Sequence, residues 1–144
     1  MTEPARTGPH TLLLTVYAIF VLAAGARSGV QIARDFDAAP VAYSLSVLAA
    51  ATYALGWVAI RRAVAGRLGF AAVMLWLELA GVLGVGTLSL ARPGWFPDAS
   101  VWSGYGIGYA FVPAVLPVLG LLWLRRQSVP SRVRRPPRWR IVER

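Results

Sequence analysis

One carboxylate lies inside an apolar stretch of this chain, and it is the residue best placed to do chemistry. Glu78 is the only acidic residue in the run from Leu68 to Leu90. A carboxylate in the middle of a membrane span costs a few kcal/mol to insert, so it usually marks an ion pair, a proton site or a substrate pathway. Gly81 and Ser89 share its helical face, and small residues on that face allow a neighbouring helix to come close.

Arg27 and three tyrosines are the candidate partners of that carboxylate. Arg27 falls on the polar stripe of the first apolar segment, so it faces other helices and not lipid. At about 1.5 Å per residue, Arg27 and Glu78 differ in depth by roughly 9 Å, which an extended arginine or an intervening tyrosine hydroxyl can bridge. We therefore predict a buried polar cluster, which consists of Arg27, Tyr53, Glu78, Tyr105 and Tyr109.

This cluster has two interpretations. In the first, the arginine and the carboxylate form an ion pair that locks the bundle. In the second, Glu78 takes up a proton or a cation during transport. A water-filled pocket at Glu78 would favour transport, whereas a dry, fully paired carboxylate would favour a structural role.

Composition places these residues in a membrane. Of 144 residues, 57% are hydrophobic and 15% are charged, and the mean hydropathy of +0.57 is far above that of a soluble domain of this size. A hydrocarbon core of about 30 Å needs about 20 helical residues. The apolar segments predict an all-α membrane protein with a four-helix transmembrane bundle, whose spans cover residues 11–34, 41–60, 68–90 and 100–124.

The first apolar segment also admits a second interpretation. A basic residue, the apolar run from Leu12 to Leu22 and the small residues at 24–26 have the layout of a secretory signal peptide. Against a cleavage site, the polar stripe of the segment continues through Gln31 and Arg34 without a break. We predict a retained span, and leave open whether residues 1–26 are part of that helix or a cleaved signal.

Arginine counting predicts the orientation. All fifteen basic residues are arginines, and basic residues in short loops stay on the cytoplasmic side. With four spans, twelve of the fifteen fall on the side that holds both termini and the loop at residues 61–67. We therefore expect a multi-pass protein of a bacterial plasma membrane, with residues 1–10 and the C terminus in the cytoplasm.

Residues 125–144 form a basic tail. It carries eight arginines, one glutamate and three prolines, and it has too little apolar surface to fold alone, so we expect disorder. Basic charge beside a membrane attracts anionic headgroups by about 1 kcal/mol per residue. Charge alone does not indicate nucleic acid, and we expect no such partner. The predicted lipid contacts are Arg125, Arg126, Arg132, Arg134, Arg135, Arg138 and Arg140.

Enzymatic chemistry has few candidate residues. His10 is the only histidine and precedes the first span, whereas Asp35, Asp37 and Asp98 fall in loops on the opposite side, so a Ser-His-Asp arrangement is excluded. The sequence has no cysteine, no cluster with metal-ligand spacing and no glycine-rich phosphate loop followed by lysine. We expect no catalytic site, no metal and no cofactor.

The triplet Gly104-Tyr105-Gly106 raises the question of a potassium-type filter. Such a filter follows a short pore helix and normally begins with Thr-Val, whereas here a proline-broken loop and Val-Trp-Ser precede the triplet. We predict instead a proline-bent fourth helix, in which small residues recur every four positions and permit close packing. Its predicted packing residues are Gly104, Gly108, Ala110, Pro113 and Pro117.

Two stretches in the C-terminal half resemble a known family. They are ELAGVLGVGTLSL, which begins at Glu78, and FPDASVWSGYGIGYAFVPAVLPVLGLLWLRR, from Phe96 to Arg126. Both are similar to a family of small actinobacterial integral membrane proteins with four predicted spans. The exclusive use of arginine for basic residues agrees with this resemblance. The resemblance brings no biochemical activity with it; it implies the topology and singles out Glu78, Trp102, Tyr109, Pro113 and Pro117.

The sequence thus predicts a non-enzymatic membrane protein. We expect an accessory or scaffold subunit that packs against a second copy or a larger membrane partner through the glycines of its fourth helix. The alternative is a small oligomeric transporter or channel in which Glu78 is the proton or cation site. The small multidrug transporters also place a glutamate within four short spans, although theirs lies in the first.

Overall fold

The computed structural model describes residues 8–128, and over that range the chain is all-helical and has no strand, as predicted. The four α-helices are α1 at Pro9–Asp35, α2 at Pro40–Val64, α3 at Leu68–Ala91 and α4 at Val112–Gln127. Three 3-10 segments complete the described chain, at Phe36–Ala38, Pro93–Trp95 and Ser103–Tyr109.

Proline and glycine set the helix ends. A proline occupies the first turn of α1, α2 and α4, where its missing N–H removes no intrahelical bond. Helix α2 ends in a Schellman motif, in which Gly66 takes a left-handed φ of 89° and donates its N–H to the carbonyl of Ala63. The N–H of Arg67 closes the motif on the carbonyl of Arg62, 2.9 Å away. The turn into α3 is therefore short, and α2 and α3 pack as neighbours.

Helices α1, α2 and α3 are long and apolar enough to cross a membrane. Their lengths are about 36–40 Å at 1.5 Å per residue, which exceeds a hydrocarbon core of about 30 Å. The segment Ser103–Tyr109 and α4 together form a fourth candidate span, but they meet at an angle of 97°. The described residues thus contain three membrane-spanning candidates, or four if the bent pair is one broken span.

The predicted proline-bent helix over residues 100–124 is corrected by the structure, which breaks it into two segments. Gly104, Tyr105 and Gly106 have left-handed φ values of 54°, 60° and 82°, and Ala110 and Phe111 follow at 52° and 59°. A residue with such a φ cannot continue a right-handed helix. The bend is made by these residues and not by the prolines.

The end of the fourth helix also differs from the prediction. Arg125 and Arg126 lie in the last turn of α4, which continues to Gln127, and not in the tail. The other predicted tail contacts lie outside the described residues; they are Arg132, Arg134, Arg135, Arg138 and Arg140.

Helix α3 is the central element of the bundle. It packs against α2 on one side and against both α4 and the segment Ser103–Tyr109 on the other, while α1 packs mainly against α2 and touches α4 over a small area. The largest fully buried side chains include Tyr17 of α1, Tyr53 of α2 and Leu75 and Glu78 of α3. The predicted carboxylate therefore lies in the core where these helices meet.

Candidate functional site

The Glu78 side chain is fully buried and has a single hydrogen-bond partner. Its Oε2 accepts a 2.6 Å hydrogen bond from the hydroxyl of Tyr17. Its Oε1 is also buried and has no hydrogen-bond partner among residues 8–128. Among residues 8–128, no ion pair includes this carboxyl group. Glu78 is thus held by a tyrosine of α1 and not by an arginine.

The approach of Tyr17 to Glu78 depends on a glycine of α2. A Cβ atom added to Gly56 would lie 2.6 Å from Cε1 of Tyr17, which is closer than carbon atoms pack. The Tyr17 ring therefore lies against the bare backbone of α2, and from there its hydroxyl reaches α3. Gly56 is a positioning residue for the Tyr17–Glu78 hydrogen bond.

A second buried hydrogen bond lies near the first. The Nε1 of Trp102 donates to the hydroxyl of Tyr53 at 2.9 Å. The Tyr53 ring packs edge-on against the rings of Tyr17 and Trp102, with centroid distances of 6.4 Å in both cases. Phe20 joins the group, at 5.4 Å from Tyr53 and 5.8 Å from Tyr109. We call these five residues the aromatic cluster.

The aromatic residues that precede α4 pack against glycines of α3. A Cβ on Gly81 would lie 2.8 Å from Cη2 of Trp102, and a Cβ on Gly86 would lie 2.8 Å from the backbone nitrogen of Tyr105. The small-residue face of α3 predicted from the sequence therefore exists. It packs against Trp102 and the segment Ser103–Tyr109, and not against a neighbouring α-helix as predicted.

Polar contacts tie the Gly104-Tyr105-Gly106 triplet to α3. The N–H of Gly104 donates to Oγ of Ser89 at 2.9 Å, and the Tyr105 hydroxyl lies 3.2 Å from Oγ1 of Thr87. Within the described residues, no α-helix lies between α3 and the triplet that could serve as a pore helix. The triplet docks on its own chain.

Arg27 does not contact Glu78, so the predicted cluster does not contain Arg27 and the ion pair of the first interpretation is not formed. Its Nη2 donates to the carbonyl of Ala99 at 2.9 Å and lies 3.7 Å from Oδ1 of Asp98. Asp98 also accepts hydrogen bonds from Nε2 of Gln31 at 3.0 Å and from the N–H of Ala99 at 2.8 Å. The Arg27 side chain stays 36% exposed, so pairing in the loop avoids the desolvation that a buried pair would require.

The structure thus divides the five predicted cluster residues. Tyr53 and Tyr109 join the aromatic cluster, which also contains Tyr17, the partner of Glu78. The hydroxyl of Tyr105 contacts Thr87 instead, and the side chain of Arg27 extends from α1 to Ala99 in the loop that follows α3. Sequence reasoning missed the role of Tyr17, although this residue lies on the same stripe of α1 as Arg27.

The predicted packing residues before α4 do not form a helical ridge. Gly104 and Ala110 have left-handed φ values, and a Cβ on Gly108 would meet no neighbouring atom within 4 Å. Pro113 and Pro117 are fully buried within α4. Close packing therefore involves Gly81 and Gly86 of α3 in place of Gly104 and Gly108.

Five cavities of the described chain have volumes of about 300–470 Å³, and Glu78 lines none of these five. One of them, of about 300 Å³, lies beside Arg27 and is partly lined by Ser89, Ser100 and Ser103. Within residues 8–128, no group of three or more acidic, histidine or cysteine residues could hold a metal ion.

Comparisons of the chain with protein-family models, with curated proteins and with solved structures find no match. The resemblance to small actinobacterial membrane proteins therefore stays a prediction from the sequence.

Proposed function

We propose that this chain is a multi-pass protein of a bacterial plasma membrane with no enzymatic activity, and that it serves as an accessory or scaffold subunit. The observation that carries the proposal is the burial of Glu78, whose side chain is fully buried and accepts a hydrogen bond from Tyr17. A transport site must open to water on at least one side, whereas a carboxyl group used for packing need not.

The outer surface of the helices supports the membrane location. Leu12, Leu22 and Leu90 are each more than 60% exposed on the bundle surface. Exposed apolar side chains along several helices are costly in water but suit contact with lipid tails. The arginine distribution supports cytoplasmic termini, because Arg62 and Arg125 both lie in last turns of helices at the arginine-rich end.

Affinity purification of the tagged full-length chain from native membranes, in a mild detergent, tests the subunit role. We expect a second copy or a larger membrane protein to co-purify after crosslinking in the intact membrane. A multi-span protein with the same tag and expression level, but unrelated in sequence, controls for non-specific capture. A chain that is monomeric and has no specific partner at native expression level would overturn the proposal.

One observation favours a second function. Oε1 of Glu78 has no hydrogen-bond partner within the part of the chain that the structure describes, and a buried carboxyl group with one free oxygen can take up and release a proton. The alternative function is therefore a small oligomeric proton- or cation-coupled transporter or channel. In proteoliposomes with an internal pH-sensitive dye, this function predicts a proton flux that Glu78→Gln abolishes and Arg92→Gln preserves. A wild-type chain with no flux above that of empty liposomes would contradict it.

A further inference from the structure

Two grooves flank the C-terminal half of α4, at the end of the bundle where α1 and α3 begin. The α3–α4 groove has a volume of about 430 Å³, and the α1–α4 groove has a volume of about 380 Å³. The apolar lining of the α3–α4 groove includes Leu68, Ala72, Trp76, Leu121 and Leu124. The apolar lining of the α1–α4 groove includes Leu12, Leu13, Leu119, Leu122 and Trp123.

Both grooves have a polar end at the helix termini. In the α3–α4 groove this end carries Arg125 and Ser128, and in the α1–α4 groove it carries His10, Arg126 and Gln127. The apolar lining continues along the helices towards the middle of the bundle. Each groove is therefore amphipathic along its length, with a polar group at the bundle end and a hydrocarbon wall below it.

The charge at the polar ends is positive. No aspartate or glutamate lines either groove, and among the described residues neither Arg125 nor Arg126 forms an ion pair. Successive residues of an α-helix are rotated by about 100°, so these adjacent arginines face different sides of α4. Each arginine thus lines a different groove, and the site complements a ligand with an anionic head.

The apolar walls are open to the surroundings of the bundle. Trp76 in the α3–α4 groove is 55% exposed, and Leu119 and Leu122 in the α1–α4 groove are each 48% exposed. A water-soluble anion would leave these side chains uncovered, whereas an acyl chain would cover them. Basic pockets between membrane helices bind anionic lipid headgroups in this manner.

We propose that each groove binds one anionic phospholipid, with its headgroup phosphate at Arg125 or Arg126 and an acyl chain along the apolar wall. The lipids come from the leaflet at this end of the bundle. This inference depends on the membrane location in the proposed function and not on the subunit role, so a failure to find a protein partner leaves it intact.

Native mass spectrometry of the delipidated full-length chain tests the two sites, with phosphatidylglycerol as the anionic probe and phosphatidylcholine as the zwitterionic probe. We expect two phosphatidylglycerol molecules to bind more tightly than any phosphatidylcholine. Arg125→Gln and Arg126→Gln should each weaken one site about five-fold, since a basic residue beside a headgroup contributes about 1 kcal/mol. Arg92→Gln is the control, because it also removes one positive charge but lies at the opposite end of α3 from the grooves. It should leave the lipid affinity of both sites unchanged.

The predicted basic tail supplies a second comparison. A full-length variant in which the five tail arginines between residues 132 and 140 are replaced by glutamine should keep both tightly bound lipids. If this variant loses them while the Arg125→Gln/Arg126→Gln variant keeps them, the lipids bind the tail and the groove sites are wrong. Equal affinity of the wild-type chain for the two probes would also overturn the proposal.

Discussion

The hydroxyl of Tyr17 on α1 donates a 2.6 Å hydrogen bond to Oε2 of Glu78 on α3, 61 residues away in sequence. Within residues 8–128 it is the only hydrogen bond of that carboxyl group, because Oε1 has no partner. Tyr17 therefore satisfies one of the two buried oxygens of Glu78. The bond also joins two helices that both pack against α2, so it constrains how α1 and α3 lie relative to each other.

Removal of the Tyr17 hydroxyl should destabilise the bundle. Tyr17→Phe leaves both oxygens of Glu78 without a partner, and an unsatisfied buried polar group costs about 1–3 kcal/mol. We expect the free energy of unfolding, measured by detergent titration in mixed micelles, to fall by that amount. In a Glu78→Leu background, the same substitution should cost much less, since no carboxyl group is left unpaired.

Tyr105→Phe is the matched control for Tyr17→Phe. It also removes one tyrosine hydroxyl, but that hydroxyl contacts Thr87 at an exposed position. We expect a change of about 0.5 kcal/mol or less. Equal effects of the two substitutions would show that the Tyr17–Glu78 bond has no special role in stability.

Two glycine-to-alanine substitutions in helices should have opposite effects. Gly56→Ala places a Cβ 2.6 Å from the Tyr17 ring, so it should lower the free energy of unfolding by about 1–3 kcal/mol. Gly84→Ala meets no atom within 4 Å and should leave stability unchanged or raise it by up to about 1 kcal/mol, because alanine is the better helix former. Thermal unfolding in detergent measures both; a destabilised Gly84→Ala or a neutral Gly56→Ala would contradict the packing seen here.

The helical fold follows from local features of the sequence. The predicted spans at 11–34, 41–60 and 68–90 agree with α1, α2 and α3 to within four residues at each end. Apolar length and loop prolines set these limits, and both can be read without knowledge of tertiary contacts. The fourth segment could not be predicted in this way, because its glycines tolerate left-handed φ values and its path is set by docking on Gly81 and Gly86.

The candidate site was predictable only in part. Glu78 could be identified because it is the only acidic residue in an apolar run. The free-energy cost of placing a carboxylate there depends on the residue itself and not on its neighbours. The choice of partner depends on which groups compete for each side chain. Arg27 binds Asp98 and the carbonyl of Ala99 at a partly exposed position, and not the buried Glu78. Gly56 has no side chain, so the Tyr17 ring can pack against α2 and place its hydroxyl at the carboxyl group. Neither competition is visible in the spacing of the residues.

Glycine at position 110 should stabilise the protein. Ala110 has a φ of 52°, a conformation that costs an L-residue about 1–2 kcal/mol and glycine much less. We therefore expect Ala110→Gly to raise the free energy of unfolding by about 1 kcal/mol. Ala114→Gly is the control inside α4, where glycine should lower stability by about 1 kcal/mol. If both substitutions destabilise to the same extent, the fourth helix is continuous through residue 110.

Substitution of Arg27 distinguishes its observed contact with Asp98 from the ion pair with Glu78 that the sequence suggested. Arg27→Gln removes a partly exposed contact to Asp98, which keeps its hydrogen bonds from Gln31 and Ala99, so the cost should stay below about 1 kcal/mol. An arginine that neutralised buried Glu78 would cost about 3–5 kcal/mol to remove.

A double-mutant cycle with Glu78→Gln gives the decisive measurement for Arg27. The two residues have separate partners, so their effects on the free energy of unfolding should add to within about 0.5 kcal/mol. The Arg27→Gln/Asp98→Asn pair should instead show coupling, since these side chains lie 3.7 Å apart. A coupling energy above about 1 kcal/mol between Arg27 and Glu78, with none between Arg27 and Asp98, would restore the ion pair inside the bundle and exclude the loop contact as the main role of Arg27.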